Sequence, residues 1–361
     1  MTQVLQLSGV TKRYGDLAAL DGVTLALPGD SYVAVLGPSG AGKTTLLRVV
    51  AGFEEPDAGA VHFEGRRLDG TPAHRRGIGF VFQNFALFPH LSVAKNIAFG
   101  LENREADPVT DKAVVARKVR DVIALVGLGG LEDRGVGQIS GGQRQRVALA
   151  RTLVTEPKLV LLDEPLGALD ANLRARMRGE LRAIRERLGV TFLHVTGSES
   201  EALAMGDSVI VLDRGRIGQV ADADTVYNRP ATPAVAKFLN CYNIFEGELE
   251  AGAFVAKAGR LPLGGGETGA AGGGGRPAYA IRHDRIDVRP ADAPAAPGEV
   301  VLPATFMASE YTGAAQISFF SLDDGKVVEV EAHLSHRAPA AYAQNERYRL
   351  AWRQDAALVF A

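Results

Sequence analysis

The chain has 361 residues with a formal net charge of −2, and 46% of its residues are hydrophobic. This length predicts two domains, of which the larger can bury a full α/β core. The near-neutral charge argues against a general nucleic-acid binder and against a strongly basic membrane-surface protein. No apolar run approaches the roughly 20 residues that span a bilayer, and the N-terminus lacks a signal-peptide pattern. Cys241 is the only cysteine, which excludes an internal disulfide, and we expect a cytosolic protein.

The first two thirds of the chain alternates short apolar runs with longer helical patterns. The runs Tyr32–Leu36, 159–162 and 209–212 predict buried strands, and the first leads through a glycine-rich turn into a helix at 44–50. Two apolar stripes predict further helices, each ended by a glycine. They are Val115, Val119, Val122 and Val126 before Gly127, and Leu173, Met177, Leu181, Ile184 and Leu188 before Gly189. This alternation predicts an α/β domain with a largely parallel sheet.

After a last short helix the pattern changes to short strands. Thr232 and Pro233 have the chemistry of an N-cap and a first helical residue, which predicts a helix at 234–239. From Phe245 onward, alternating runs and turns predict a small β-domain. Its predicted strands are 304–308, 316–322 and 326–332, with a turn at 323–325 and loops at 264–275 and 291–297.

A phosphate-binding loop follows the first buried strand. Its glycines let consecutive backbone N–H groups turn towards phosphate oxygens, and the next helix adds its positive end. Lys43 is predicted to neutralise the β- and γ-phosphates of ATP, and the Thr44 hydroxyl to bind Mg²⁺. The predicted nucleotide-binding residues here are Gly37, Pro38, Ser39, Gly40, Ala41, Gly42, Lys43, Thr44 and Thr45.

Two carboxylates, Asp163 and Glu164, end the predicted strand at 159–162. Asp163 is predicted to hold Mg²⁺ through water, and Glu164 to polarise the attacking water as a general base. Taken alone, such a pair fits a solvated strand end equally well. The phosphate loop in the same chain favours the catalytic interpretation.

A second anion site is predicted at Ser140, Gly141, Gly142 and Gln143, because a serine and two glycines open a helical run. Two phosphate sites in one domain make sense if each serves a different nucleotide in a dimer. With this motif, residues 4–240 resemble the ATPases of ATP-binding cassette (ABC) transporters, although Ile139 stands where the motif usually has leucine. The resemblance implies a head-to-tail homodimer with ATP between the phosphate loop of one subunit and residues 140–143 of the other.

The resemblance also assigns residues that spacing alone would not. It implies that Tyr14 stacks on adenine, although a surface aromatic in a β-turn is the alternative. It implies that Gln83 reaches Mg²⁺ and the attacking water, and that 85–89 help form the groove for a membrane subunit. Asp170 matches the loop that crosses the dimer interface, and Gly167 stands where serine is common.

One position departs from the family pattern. Gly197 takes the place of a histidine that contacts the γ-phosphate. His194 lies three residues upstream, and this odd offset points it to the opposite face of a strand, so we predict a hydrogen-bonded strand histidine. A contact to developing charge is worth about 3–4 kcal/mol. The hypothesis is that this chain binds ATP and dimerises but hydrolyses ATP slowly.

The β-rich tail resembles the oligonucleotide-binding-like regulatory barrel of importer ATPases of the polyamine, ferric-iron, sulfate and maltose types. Loose matches at 280–286, 309–313, 323–325 and 349–352 carry this resemblance. Such a barrel could bind RNA through Tyr279, Phe319 and Trp352. No basic excess accompanies these aromatics, so we expect them in the core and expect no nucleic-acid partner. The segment 243–247 favours polyamines such as spermidine and putrescine as cargo.

Together these features predict a P-loop α/β domain of ABC type at 1–240, with a helical subdomain at about 88–158, and an all-β barrel at 241–361. The predicted function is ATP hydrolysis that energises import through two integral-membrane permease subunits, served indirectly by an external solute-binding protein. The chain would sit peripherally on the cytoplasmic face of the inner membrane. Alternatives are a nucleotide-gated regulatory subunit with little hydrolysis, motivated by Gly197, and a soluble ABC protein of translation or DNA repair.

Overall fold

A computed structural model describes residues 3–105, 108–167, 169–264, 268–269, 276–335 and 338–361. The chain divides into two compact units, Met1–Val226 and Tyr227–Ala361. Part of the predicted loop 264–275 lies outside the described residues. Among the described residues, no helix is long and apolar enough to cross a membrane.

The first unit contains two sheets. A four-stranded antiparallel sheet has the order β2-β1-β4-β5, and a six-stranded sheet has the order β10-β9-β3-β8-β7-β6. The strands are β1 (Gln3–Tyr14), β2 (Leu17–Pro28), β3 (Tyr32–Leu36), β4 (Ala58–Phe63), β5 (Arg66–Arg67), β6 (Gly79–Val81), β7 (Leu159–Asp163), β8 (Thr191–Thr196), β9 (Ser208–Asp213) and β10 (Arg216–Ala221). Only β10 pairs antiparallel in the second sheet. The predicted α/β class with a largely parallel sheet is therefore confirmed.

Capping residues and glycines mark the ends of several helices. They are α1 (Lys43–Ala51), α2 (Val93–Glu102), α3 (Lys112–Leu125), α4 (Gly141–Leu153), α5 (Ala171–Leu188), α6 (Glu199–Met205), α7 (Ala223–Asn228) and α8 (Pro233–Phe238). Gly189 ends α5 with a φ of 61°, a left-handed conformation that glycine adopts without strain. The Thr232 side chain accepts from Val235 N and so caps α8, as predicted.

The parallel sheet is buried on both faces, since every residue of β3 and β8 is buried. One face shares a hydrophobic core with residues of α2 to α6, among them Ile97, Val147 and Met205. The other packs against α1 and the antiparallel sheet through Leu46, Leu7 and Leu25 among others. Covering both faces makes the continuous apolar strands stable and leaves the strand ends as the place for polar chemistry.

The second unit is rich in β-strands. Its sheets have the orders β13-β12-β11-β15-β21-β14 and β16-β20-β17-β18-β19. The strands are β11 (Tyr242–Glu250), β12 (Ala253–Ala256), β13 (Gly259–Pro262), β14 (Thr268–Gly269), β15 (Ala278–Arg282), β16 (Asp287–Pro290), β17 (Glu299–Tyr311), β18 (Ala315–Leu322), β19 (Val327–His333), β20 (Arg347–Arg353) and β21 (Leu358–Phe360). Trp352 Nε1 donates to the Tyr279 hydroxyl at 2.7 Å, and both rings are buried. They are core residues, as expected, and are not exposed stacking platforms.

Candidate nucleotide site

The phosphate loop connects β3 to α1 and can be built only with glycine at two positions. Gly42 has a φ of 100°, and a Cβ there would lie 2.2 Å from the Ala19 carbonyl oxygen. A Cβ on Gly37 would lie 2.2 Å from the Leu212 carbonyl oxygen. The close approach of neighbouring backbone therefore excludes a side chain at either residue. A glycine-rich loop that leads directly into the start of a helix is the arrangement that binds phosphate.

Lys43 is held inside this loop. Its Nζ donates to the carbonyls of Gly37 at 2.7 Å and Pro38 at 3.0 Å, and the residue is only 7% exposed. Burial lowers the pKa of Lys43, while the Glu164 and Asp163 carboxylates act in the opposite direction. A desolvated ammonium at the start of a helix gives this pocket a concentrated positive charge, suited to the β- and γ-phosphates.

Thr44 and Asp163 meet across the sheet edge, with the Thr44 hydroxyl 3.2 Å from Asp163 Oδ1. Burial raises the pKa of Asp163; the Thr44 hydrogen bond lowers it, and Glu164 raises it further. A hydroxyl and one carboxylate suit Mg²⁺, which keeps several waters and takes its other oxygens from phosphates. In the described part of the chain, no group of three or more His, Cys, Asp or Glu residues could hold a metal alone. The residues thus fit a magnesium ion shared with a nucleotide.

Glu164 and Gln83 form the second contact at this edge. Gln83 Nε2 donates to Glu164 Oε2 at 3.1 Å, and Glu164 N donates to the Val195 carbonyl at 3.0 Å. Glu164 has a φ of 44°, a left-handed conformation that costs energy for a residue with a side chain. Glu164 directly follows Asp163, the last residue of β7, and its N–H is bonded to Val195 of β8. The Glu164 backbone is therefore fixed at the carboxyl ends of these two strands.

The loop after Gln83 is held by a residue that sequence reasoning did not identify. Arg151, in the last turn of α4, donates to the carbonyls of Ala86 at 2.7 Å and Phe85 at 3.0 Å. Phe85 and Ala86 both have positive φ, at 64° and 46°. The guanidinium also lies 5.5 Å from the centre of the Phe88 ring. No sequence signal ties an arginine of one helix to carbonyls more than 60 residues earlier, so this link appears only in three dimensions.

The predicted second anion site forms a capped helix start. The Ser140 hydroxyl accepts from Gln143 N at 3.3 Å, and Gln143 Oε1 accepts from Ser140 N at 2.8 Å. This reciprocal capping box orders the first turn of α4 around Gly141 and Gly142. Within the described residues, no hydrogen bond joins this turn to the phosphate loop of the same chain.

Three further predicted residues lie at the ends of secondary-structure elements or beside them. Tyr14 ends β1, is 46% exposed, and has Lys12 Nζ 5.7 Å from its ring centre. Asp170 is exposed and caps α5 by accepting from Leu173 N at 2.9 Å. Gly167 follows the Glu164 turn, and its N–H donates to the Glu164 carbonyl. Both Tyr14 and Asp170 are exposed.

Gly197 and His194 differ in their surroundings as predicted. Gly197 is exposed directly after β8, and a Cβ placed on it would meet no atom within 4 Å. His194 is completely buried, with Nδ1 2.8 Å from the Tyr32 hydroxyl. Burial lowers the pKa of His194 to about 3, so the ring is neutral at physiological pH. The prediction of a hydrogen-bonded strand histidine is confirmed.

A phosphate loop, an acidic pair on the neighbouring strand end and a parallel sheet covered on both faces define a P-loop nucleotide hydrolase. Residues 20–167 match the ABC transporter family model, and residues 279–360 match the TOBE domain model. The chain belongs to the ATP-binding subunits of ABC-type importers that carry a C-terminal TOBE domain, and it is an ATPase. The expected family, fold class and enzyme activity are confirmed.

Several known proteins are similar to this chain over most of its length. The chain is 42% identical to the spermidine/putrescine import ATP-binding protein PotA of Rubrobacter xylanophilus, covering 96% of this chain and 91% of that protein. It is 46% identical to the sulfate/thiosulfate import ATP-binding protein CysA of Caulobacter vibrioides, covering 78% and 81%. A solved nucleotide-free ATP-binding cassette from an ABC transporter superposes with a TM-score of 0.58 at 26% identity, covering 65% of this chain and 98% of that one.

Proposed function

We propose that this ATPase works as a head-to-tail homodimer on the cytoplasmic face of the inner membrane, with Mg²⁺, and drives two permease subunits. Two side-chain contacts carry this proposal, Thr44 with Asp163 and Gln83 with Glu164. They join the phosphate loop, the strand-end carboxylates and the loop after β6 at one edge of the sheet. Three segments distant in sequence thereby converge on a single phosphate-binding position.

The residues of this edge divide the work of hydrolysis. Lys43 balances charge on the β- and γ-phosphates, and the backbone N–H groups of the loop orient them. Glu164 takes a proton from the attacking water, which Gln83 helps to orient. Mg²⁺, when bound by Thr44 and Asp163, supplies additional neutralisation of phosphate charge.

The homodimer is supported by the second anion site. The first turn of α4 has a capped start with two glycines, and it has no hydrogen bond to its own phosphate loop in the described chain. The N–H groups at this helix start could then bind the phosphates of a nucleotide held by a second copy of the chain. A solved ATP-binding cassette with a TM-score of 0.54 and 28% identity is described as a dimeric post-hydrolysis state bound to ADP and phosphate.

For cargo we propose polyamines such as spermidine or putrescine, received from an external solute-binding protein. Support comes from the relative named for spermidine/putrescine import, whose similarity runs through both domains of this chain. The test is uptake of labelled spermidine, putrescine and sulfate by cells that lack this gene. Loss of polyamine uptake alone would support the assignment, whereas loss of sulfate uptake alone would overturn it.

The exposed Gly197 supports slow turnover, because no side chain there can contact the γ-phosphate. The test of the motor function compares ATP hydrolysis by the purified chain with that of Glu164→Gln. Wild type is expected to turn over slowly, and Glu164→Gln to lose about 10²-fold or more in turnover while still binding ATP and dimerising. Glu186→Gln, an exposed carboxylate on α5, is the matched control and should match wild type.

A different result would identify a regulatory subunit. If wild type and Glu164→Gln were equally inactive while both bound ATP and dimerised, the chain would gate transport by nucleotide binding alone. Failure of light scattering to detect an ATP-dependent dimer in either protein would overturn the homodimer proposal.

A further inference from the structure

Glu201 is a buried carboxylate one helical turn after the loop at Gly197. The residue is only 3% exposed, and its Oε2 accepts a hydrogen bond from the Thr196 hydroxyl at 2.8 Å. The same Thr196 hydroxyl oxygen accepts from Ser198 N at 2.9 Å. One acidic side chain thus orders both ends of the segment 196–198.

This segment lies at the catalytic edge of the sheet. Thr196 pairs with Leu36, the residue immediately before the phosphate loop, on one side. On the other side Val195 pairs with Asp163, and the Val195 carbonyl accepts from Glu164 N at 3.0 Å. A shift of the end of β8 would therefore move the backbone of the proposed general base directly.

On its other side Glu201 contacts α5. Arg174 Nε lies 3.5 Å from Glu201 Oε1, and a terminal nitrogen of Arg174 donates to the Leu169 carbonyl at 3.1 Å. Leu169 precedes Asp170, which caps the same helix. The carboxylate therefore connects the end of β8 to the loop that begins α5.

Three more arginines of α5 secure α6 and the turn that follows it. Their spacing of three or four residues places them on one side of α5. Arg178 donates to the Ser200 carbonyl at 3.2 Å, Arg182 donates to the Ala204 carbonyl at 3.3 Å, and Arg185 lies 3.1 Å from Asp207 Oδ2. These contacts already hold α6 in place, so Glu201 is not needed merely to attach it.

Among the residues that the structure describes, no buried positive charge compensates Glu201 fully. His194 Nε2 is 3.8 Å from Glu201 Oε2 and has no hydrogen-bond partner, and the ring is neutral because burial lowers its pKa to about 3. A buried carboxylate with one short hydrogen bond and one longer ion pair is weak as a stabilising element. The position of Glu201 is better explained by the segment 196–198, which it orders through Thr196.

We propose that Glu201 is a positioning residue for ATP hydrolysis, which holds Thr196 and the following loop between the phosphate loop and the acidic pair. It acts on the reacting groups through the end of β8 and the backbone of Glu164. It also links this edge to the start of α5 through Arg174. Turnover, rather than nucleotide affinity, is therefore the property that depends on Glu201.

The test measures kcat and KM for ATP and the unfolding midpoint in urea for purified full-length variants. Glu201→Gln keeps the size of the side chain, but its neutral amide accepts a weaker hydrogen bond from Thr196 and loses the charge that attracts Arg174. Its kcat is expected to fall roughly tenfold or more, as for small misplacements of reacting groups, with KM within twofold of wild type. Thr196→Val should lower kcat similarly, and Thr196→Ser, which retains the hydroxyl, should restore it.

The double variant of Glu201→Gln with Thr196→Val is expected to be no slower than the slower single variant, because both changes act on the same hydrogen bond between Thr196 and Glu201. Arg182→Gln changes an exposed arginine of the same row. It is the matched control and should keep the wild-type kcat. Wild-type kcat in both Glu201→Gln and Thr196→Val would overturn the proposal. The proposal would also be overturned if the loss of kcat only matched the loss of folded protein. The same holds if Arg182→Gln lowered kcat equally.

Discussion

The Thr44 hydroxyl lies 3.2 Å from Asp163 Oδ1, joining the first turn of α1 to the end of β7. These two oxygens come from residues 119 positions apart in the chain. Burial raises the pKa of Asp163, so its charged form is disfavoured until a cation is present. The Thr44 hydroxyl and the Asp163 carboxylate thus suit a bound metal, whose charge would relieve the electrostatic cost of the buried carboxylate.

Asp163→Asn should raise the Mg²⁺ concentration needed for half-maximal hydrolysis and lower turnover by roughly 10²-fold, because the negative charge that holds the metal is lost. In wild type, acidification towards the raised pKa of Asp163 should weaken Mg²⁺ binding, since the metal requires the deprotonated carboxylate. Magnesium titrations of ATP turnover over a series of pH values, from neutral downwards, would check both results. Equal Mg²⁺ dependence in wild type and variant would rule out Asp163 as a ligand.

Gly42→Ala should disrupt the phosphate loop. The substitution forces a side chain onto a left-handed residue and places Cβ against the Ala19 carbonyl oxygen. We expect a loss of about 2–3 kcal/mol in unfolding free energy together with loss of ATP binding. Gly137→Ala is the control, because its Cβ would meet no atom within 4 Å. Urea unfolding and nucleotide titration measure the two effects, and unchanged ATP affinity in Gly42→Ala would contradict the assignment.

Gly197→His should accelerate hydrolysis if a γ-phosphate contact is what the chain lacks. The site is exposed and open, so the imidazole fits without displacing neighbours. Restoring such a contact is expected to raise turnover by about 10–10³-fold. Gly197→Ala separates the effect of the ring from that of a stiffer backbone and should leave turnover near wild type. Unchanged steady-state turnover in Gly197→His would sink the hypothesis.

His194 should make stability depend on pH. Its folded pKa is lowered to about 3 by burial, whereas an unfolded histidine titrates near 6.5. The unfolded state therefore binds more protons than the folded state below pH 6.5. The stability that neutral His194 allows is fully present above pH 6.5 and is lost on acidification. Unfolding free energy should fall by up to about 1.4 kcal/mol per pH unit between pH 6 and pH 4 from this group.

His194→Gln supplies the matching control for that slope. Glutamine can keep a hydrogen bond to the Tyr32 hydroxyl but does not titrate, so the variant should show a shallower decline. Urea unfolding of both proteins at pH 7, 6, 5 and 4 gives the comparison. Parallel declines would show that other groups account for the acid sensitivity.

Arg151→Met should loosen the loop that carries Gln83. The change removes the two hydrogen bonds to the Phe85 and Ala86 carbonyls while keeping most of the apolar stem. Charge-assisted hydrogen bonds of this kind are worth about 1.5–3 kcal/mol, so stability and turnover should both fall. Arg144→Met, on the exposed side of the same helix, should change neither. Unchanged turnover and unfolding midpoint in Arg151→Met would refute this role.

Local sequence was sufficient where a single segment determines the geometry. The phosphate loop between β3 and α1, the capped start of α4 at Ser140 and the ending of α5 at Gly189 all follow from adjacent residues. The buried strands were recognisable because a strand covered on both faces must be apolar throughout. Residues such as Arg151 and Glu201 carry no comparable signal, since arginine and glutamate are common on helices and usually face water.

By itself, therefore, the sequence determined the class of site, because phosphate binding needs glycines, a lysine and a hydroxyl in consecutive positions. Only the tertiary structure decided which side chains meet, since hydrogen bonds between segments far apart depend on sheet order and register. Thr196 contacts Glu201 and lies beside the phosphate loop only because β8 pairs between β3 and β7, an arrangement set by packing both faces of the sheet.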